Sequence, residues 1–435
     1  MSGLSIAMLG RIGGSAIGMI TQVFLAQMLS VAALGTFFLA TSTAALLGVL
    51  STCGLSLVTA RFLVRYRSRG RGDFSGLYMT SASLIVLLAA LALTSAAVVA
   101  ILLWPDFSGG ERAALAIGCL AAPGLALARL SSSAATAYRR FRLTHLPELV
   151  VRPAAFLAIV VAIGMLSSRL DLNVVLAVFA LLVTAQAAYQ IAALRGVVGR
   201  GVRPRHTAWR LPAMWLKAAA PLIGVVVLTA VFADAAILSA GLFLGAEDLA
   251  VFGVCVKIVL IVGFMQAATH KMLQPDLAEA LIGRDRHRLV LTIGRANWLT
   301  IGIGAAAFVA LILAGDLVLS LFGEHFVQGR SVLLLLLGGQ VMIATAGPAI
   351  QVLTLTRRQS AAAWSSVAAG LCLVASNALL VPLWGLGGAA AAMVATQLLW
   401  AVLLALQVRR IGIVCDVFAP VALPPRDVPR PVASS

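Results

Sequence analysis

Apolar residues in this chain fall into runs separated by short polar stretches. A run of about 20 such residues crosses roughly 30 Å of hydrocarbon as an α-helix. Marking each run between its flanking charges predicts spanning helices at 11–29, 35–57, 77–104, 113–137, 148–167 and 173–194. A second set follows at 217–243, 249–273, 293–315, 331–353, 361–381 and 387–408. Regular apolar/polar alternation is missing and aromatic residues are sparse, which argues against a β-barrel. The expected fold is an all-α polytopic membrane protein of about twelve transmembrane helices.

The positions of the charges orient these helices. If the first helix starts inside, the even-numbered connections are cytoplasmic. They carry Arg61, Arg65, Arg67, Arg69 and Arg71, then Arg139, Arg140, Arg142 and Arg152, and comparable basic groups after the sixth, eighth and tenth spans. The odd connections carry only Arg112, Arg169 and Arg330. This asymmetry predicts that both termini are cytoplasmic. The longest inward connection separates two sets of six spans. The expected organisation is a lobe at 1–195, a cytoplasmic linker at 196–216, a second lobe at 217–410 and a disordered, proline-rich cytoplasmic tail at 411–435. Arg11 followed by apolar residues has the outline of a signal peptide, but without a convincing cleavage site it reads as a retained first helix.

Composition narrows the function. The chain is 61% hydrophobic and 11% charged, with a formal net charge of +17. Because the positive charge alternates from loop to loop, it points to membrane orientation, and no nucleic-acid partner is expected. The five cysteines are far apart and form no metal-ligand or redox motif. No phosphate-binding G-x-x-x-x-G-K-[ST] loop and no catalytic constellation occurs, so neither an enzyme, nor a cofactor, nor a metal site is expected.

Charges inside apolar spans are costly and need a partner, a wet cavity or a route to the headgroups. Arg129, Asp234 and Lys257 are the three that stand out. Asp234 and Lys257 fall in consecutive predicted spans, each about 12–14 Å below the outer surface at 1.5 Å per residue. Two readings stay open: a structural ion pair that lets a hairpin insert, or a polar site in which Lys257 meets an anionic substrate group and Asp234 tunes it or carries a proton. Arg129 either snorkels to the headgroups or faces a cavity. Gln22 and Gln266 are candidates for interhelical hydrogen bonds, and His270 titrates in a range that suits proton coupling. Pro123, Pro221 and Pro348 interrupt spans and permit bending.

Several segments, taken in order, resemble one transporter family. They are Leu34-Gly35-Thr36-Phe37-Phe38-Leu39-Ala40, Gly54-Leu55 with Arg61, the stretch 245–257, and Gln274-Pro275-Asp276-Leu277-Ala278-Glu279. Further along come Leu321-Phe322-Gly323-Glu324-His325-Phe326, the stretch 347–358, and Val381-Pro382-Leu383-Trp384-Gly385-Leu386-Gly387-Gly388-Ala389-Ala390. Together they look like the polysaccharide-exporter and oligosaccharide-flippase (Wzx-like) branch of the superfamily that also holds the multidrug and toxin extrusion (MATE) transporters. That resemblance implies a MATE-like, V-shaped pair of six-helix lobes working by alternating access. It also implies a cavity lined mainly by helices 1, 2, 7 and 8, with Gln22, Asp234 and Lys257 in it and Arg11 and Arg61 at its inner rim.

The implied substrate is a polyprenyl-diphosphate-linked oligosaccharide, moved across a bacterial inner membrane for lipopolysaccharide, capsule or exopolysaccharide synthesis. The implied partners are membrane lipids, a polysaccharide polymerase and glycosyltransferases. The rival on the same fold is a cation-coupled multidrug or metabolite antiporter. A non-transporting scaffold for glycan assembly is a third reading.

Overall fold

The computed structural model describes residues 3–105, 107–167, 170–198, 210–219, 223–283, 285–356, 358–411 and 413. The side chains of 3–12, 210–212, 223–230, 286 and 359 lie outside that set. Almost all described residues are helical, and no strand occurs among them. Among the described residues nine stretches are long and apolar enough to cross a membrane. One of them, Ser360–Arg409, contains the two expected spans 361–381 and 387–408, reversed at Gly385, whose φ of 53° lies in the left-handed region. Adding α1 (Gly3–Met28) and α11 (Ile223–Gly241) accounts for the twelve expected spans. The chain is a multi-pass helical membrane protein.

The chain divides into two compact units. The first comprises Met1–Gly241 and Gly245–Ala250, and the second Leu242–Leu244 and Val251–Ser435.

In the first unit the second expected span ends early, as α2 (Val31–Ser51), and α3 (Leu55–Ser68) occupies most of the basic connection expected after it, with Cys53 and Gly54 both at positive φ between them. Ser30 caps α2 by accepting from the Ala33 backbone N–H. The helix α4 (Gly72–Leu103) follows. The fourth span is then split into α5 (Gly109–Cys119) and α6 (Ala122–Ala137), where Pro123 occupies the first turn of α6 and needs no amide hydrogen bond. Ser108 and Glu111 form a capping box at the start of α5.

The fifth span runs through α7 (Phe141–Leu146), a π-turn (Pro147–Val151) and α8 (Arg152–Leu166), and α9 (Leu172–Val198) is the sixth. The first helix crosses the π-turn so closely that a Cβ on Gly14 would overlap the Leu149 carbonyl. Such backbone approach is how helices gain dispersion contact where lipid supplies no hydrophobic drive.

The basic end of this unit has an aromatic core. Short α10 (Arg210–Ala219) seats Trp215, fully buried, against Tyr78 in an edge-to-face pair at 4.8 Å. Trp215 Nε1 donates to Tyr66 Oη at 3.0 Å, and Tyr78 Oη shares a 2.9 Å hydrogen bond with Thr59. Both polar handles are therefore satisfied inside an apolar cluster.

The second unit contains most of α12 (Ala246–Gly283), followed by α13 (Arg286–Ser320), a 3₁₀ turn (Glu324–Gly329), α14 (Arg330–Ala344), α15 (Ala349–Leu355) and α16 (Gln359–Arg409). Pro348 stands at the break between α14 and α15. One core of this unit joins Leu277, Leu289, Ile293, Val352, Leu353 and Val408. The expected tail, apart from residues 411 and 413, lies outside the described residues.

Candidate functional site

The carboxylate of Asp234 lies on α11, seven residues before that helix ends and three after Val231, where the helix is kinked (φ −139°, ψ 27°). It is partly buried and accepts a hydrogen bond from Ser42 Oγ on α2 at 3.2 Å. Ser42 itself is fully buried. A hydroxyl aimed at a carboxylate inside an apolar bundle offsets part of the cost of keeping that charge there. Gln22, on α1, is half-buried, and its Oε1 has no hydrogen-bond partner among the described residues.

A second group of charges lies where α6 meets the fifth span. Arg152, at the start of α8, is within electrostatic reach of Glu148 in the π-turn and of Arg129 on α6. All three are partly buried, and Arg129 Nε is buried without a hydrogen-bond partner among the described residues. Two guanidinium groups against one carboxylate leave a surplus positive charge, and in a low dielectric such a surplus favours an anion. Gln190 on α9 fixes the surroundings, its Nε2 donating to Ser132 Oγ and to the Leu143 carbonyl, each at 3.1 Å.

Glu148 and Arg152 were missing from the sequence-derived candidates because they read as the boundary of the fifth span and its loop. Two prolines within seven residues, Pro147 and Pro153, were the available signal that the helix there is irregular. Arg61, on α3, is solvent-exposed. Arg11 falls within α1, but its side chain lies outside the described residues.

In the second unit, Lys257 is partly buried and lies eleven residues into α12. Further along the same helix, Gln266 Nε2 donates to the Thr300 carbonyl at 3.0 Å, and Gln340 Nε2 donates to Gln266 Oε1 at 2.7 Å. This amide chain ties α12 to α13 and α14, the interhelical role expected for Gln266. His270, one turn on, is partly buried, and its Nε2 has no hydrogen-bond partner among the described residues.

No family model matches the chain, and no curated protein matches it in sequence. Solved structures do. The lipid II flippase MurJ in an inward-closed conformation aligns with a TM-score of 0.72 at 13% identity, covering 93% of this chain and 87% of that one. An inward-facing MATE-family multidrug resistance transporter of the MOP superfamily aligns with a TM-score of 0.71 at 12% identity, covering 91% and 94%. The chain has the fold of these two structures. A eukaryotic MATE transporter gives a TM-score of 0.67 at 14% identity, covering 94% of both chains. At these identities the likeness is one of fold, and the same MOP architecture accommodates both a lipid flippase and multidrug transporters.

Proposed function

We propose that this chain is a flippase or exporter that moves a polyprenyl-diphosphate-linked oligosaccharide across the cytoplasmic membrane of a bacterium by alternating access. The observation that carries the reading is the surplus positive charge of Arg129 and Arg152 over Glu148 inside a MOP-fold chain. Guanidinium groups match the planar oxygens of a diphosphate, and a site that must release its cargo needs attraction without covalent chemistry. In this reading Arg129 in the first unit meets the diphosphate, Asp234 and Gln22 contact the glycan, and Lys257 in the second unit is a cation for an anionic group of the cargo. Arg11 and Arg61 gather anionic lipid at the inner rim, and Asp234 or His270 carries a coupling proton.

The segments 1–195 and 217–410 act as the two moving halves, linked through 196–216, with both termini cytoplasmic. A polymerase and glycosyltransferases act on either side of the flipping step. The fold likeness to a protein titled as a lipid II flippase supports a lipid-linked cargo. A knockout tests the reading in the cell: lipid-linked repeat units should accumulate on the cytoplasmic face and surface polysaccharide should be lost. Normal surface polysaccharide with no accumulation contradicts it.

One observation favours a second reading, a cation-coupled multidrug or metabolite antiporter. The Ser42–Asp234 hydrogen bond holds a carboxylate within the spanning helices, as binding a proton, a sodium ion or a lipophilic cation requires. Altered sensitivity to lipophilic cations on expression, without a change in surface polysaccharide, would favour it.

A further inference from the structure

Between α7–α8 and α9 of the first unit lies a groove of about 930 Å³. Its polar lining is Arg139, Arg140, Arg142, Arg152 and Gln186. Arg139 and Arg140, in the turn between α6 and α7, and Arg142, in the first turn of α7, are exposed, and no carboxylate pairs with them among the described residues. From α9, Leu182, Gln186, Tyr189 and Ala193 face the groove at helical spacing, so one side of that helix forms a continuous wall. Tyr189 and Val151, on opposite walls, are 61% and 60% exposed, so the groove is open along its length. It is basic at one end and mostly apolar beyond, the polarity of a lipid lying with its head at the membrane surface.

Gln186 makes the groove more than a basic patch. It is 7% exposed, it lines the groove, and neither Nε2 nor Oε1 has a hydrogen-bond partner among the described residues. An unsatisfied amide at that depth costs free energy that a ligand acceptor recovers. Arg152 lines the same inner stretch, ten residues and so about 15 Å further along the helical path than Arg142. The groove thus offers two tiers of donors, three guanidinium groups at the mouth and Arg152 with Gln186 below.

We infer that this groove binds a glycerophospholipid with a net anionic headgroup. Its phosphate sits among Arg139, Arg140 and Arg142, its glycerol ester carbonyls accept from Gln186, and its acyl chains lie along Leu182, Ala155 and Val151. A zwitterionic headgroup brings its own cation against the mouth arginines, which disfavours it. A polyprenyl diphosphate has no ester carbonyls for the inner tier. Arg152 belongs also to the charge group with Arg129 and Glu148, so lipid binding here rests on Gln186 and the three mouth arginines, which the transport site does not use.

Native mass spectrometry of the purified full-length chain tests it, with the protein released from bilayers containing equal phosphatidylglycerol and phosphatidylcholine. Phosphatidylglycerol should be retained about tenfold over phosphatidylcholine, as expected for several arginines acting on one anionic head. The double variant Arg140→Gln/Arg142→Gln, altered only at exposed positions, should erase that preference. Gln186→Leu should weaken retention of both lipids several-fold, because both carry ester carbonyls. Gln186→Glu, similar in shape but repelling carbonyl oxygens, should do the same if the leucine variant fails to fold. Equal retention of the two lipids, or unchanged retention in the arginine variant, overturns the proposal. So does displacement of the lipid by millimolar inorganic phosphate, which identifies a free-anion site, or by a polyprenyl diphosphate at equal concentration, which identifies a site for prenyl carriers.

Discussion

Ser42 Oγ, fully buried on α2, donates to Asp234 Oδ1 on α11 at 3.2 Å. The bond joins residues 192 positions apart and gives the membrane-embedded carboxylate a neutral donor. If Asp234 serves transport, its charge matters more than its shape. Asp234→Asn should lower the initial transport rate in proteoliposomes by about tenfold or more with normal reconstitution, while Ser42→Ala, which removes one donor, should cost only a few-fold. Loss of membrane insertion in Asp234→Asn, with normal specific activity in the fraction that inserts, would make the residue structural.

Gly14 should tolerate no side chain. Gly14→Val places atoms onto the Leu149 carbonyl, whereas Gly13 and Gly18 have open space at their Cβ positions. Thermal unfolding in detergent should show a loss on the order of 1–3 kcal/mol for Gly14→Val and almost none for Gly13→Ala or Gly18→Ala. Equal effects at the three positions would mean that α1 does not cross the π-turn this closely.

Trp215 should hold α10 in place. Trp215→Ala removes a fully buried indole and its hydrogen bond to Tyr66, a change that costs about 3–5 kcal/mol in a packed core. Much of that loss should be local. Limited proteolysis should then cut near 210–219 faster in the variant, whereas an unchanged cleavage pattern would show that α10 is held by other contacts.

The amide chain of the second unit should behave as a coupled pair. Gln340→Leu leaves Gln266 Oε1 without its donor, and Gln266→Leu removes both the acceptor for Gln340 and the donor to the Thr300 carbonyl. Each single change should destabilise by about 0.6–2 kcal/mol, with the double variant less affected than the sum. Strict additivity in a double-mutant cycle would mean the two glutamines do not share a bond.

Much of the architecture was legible from hydrophobic run length, because a helix in lipid must satisfy its own backbone and cover the membrane thickness. Pro123 and Pro348 likewise announced the breaks that the helices show. The break at Cys53 and Gly54 carries no proline, and a lone glycine among apolar residues does not announce a left-handed turn. Residues 210–216 read as part of a basic linker, since only the tertiary pocket of Tyr66 and Tyr78 explains why Trp215 is buried there. For the same reason Arg129 was visible as a charge within a span, whereas Glu148 and Arg152 become its neighbours only through the π-turn. Polarity along the chain reveals which groups are costly to bury; it does not reveal which of them meet.

Arg129 should carry a large share of the flipping of a lipid-linked oligosaccharide by this chain. Proteoliposomes containing the purified chain and a fluorescent polyprenyl-diphosphate oligosaccharide test it most directly, with translocation read from the fraction of label that becomes accessible to an added quencher or glycosidase. The account predicts protein-dependent translocation that falls at least about tenfold in Arg129→Gln at equal reconstitution. Translocation no faster than in protein-free liposomes, or equal rates for the native chain and Arg129→Gln, would contradict it.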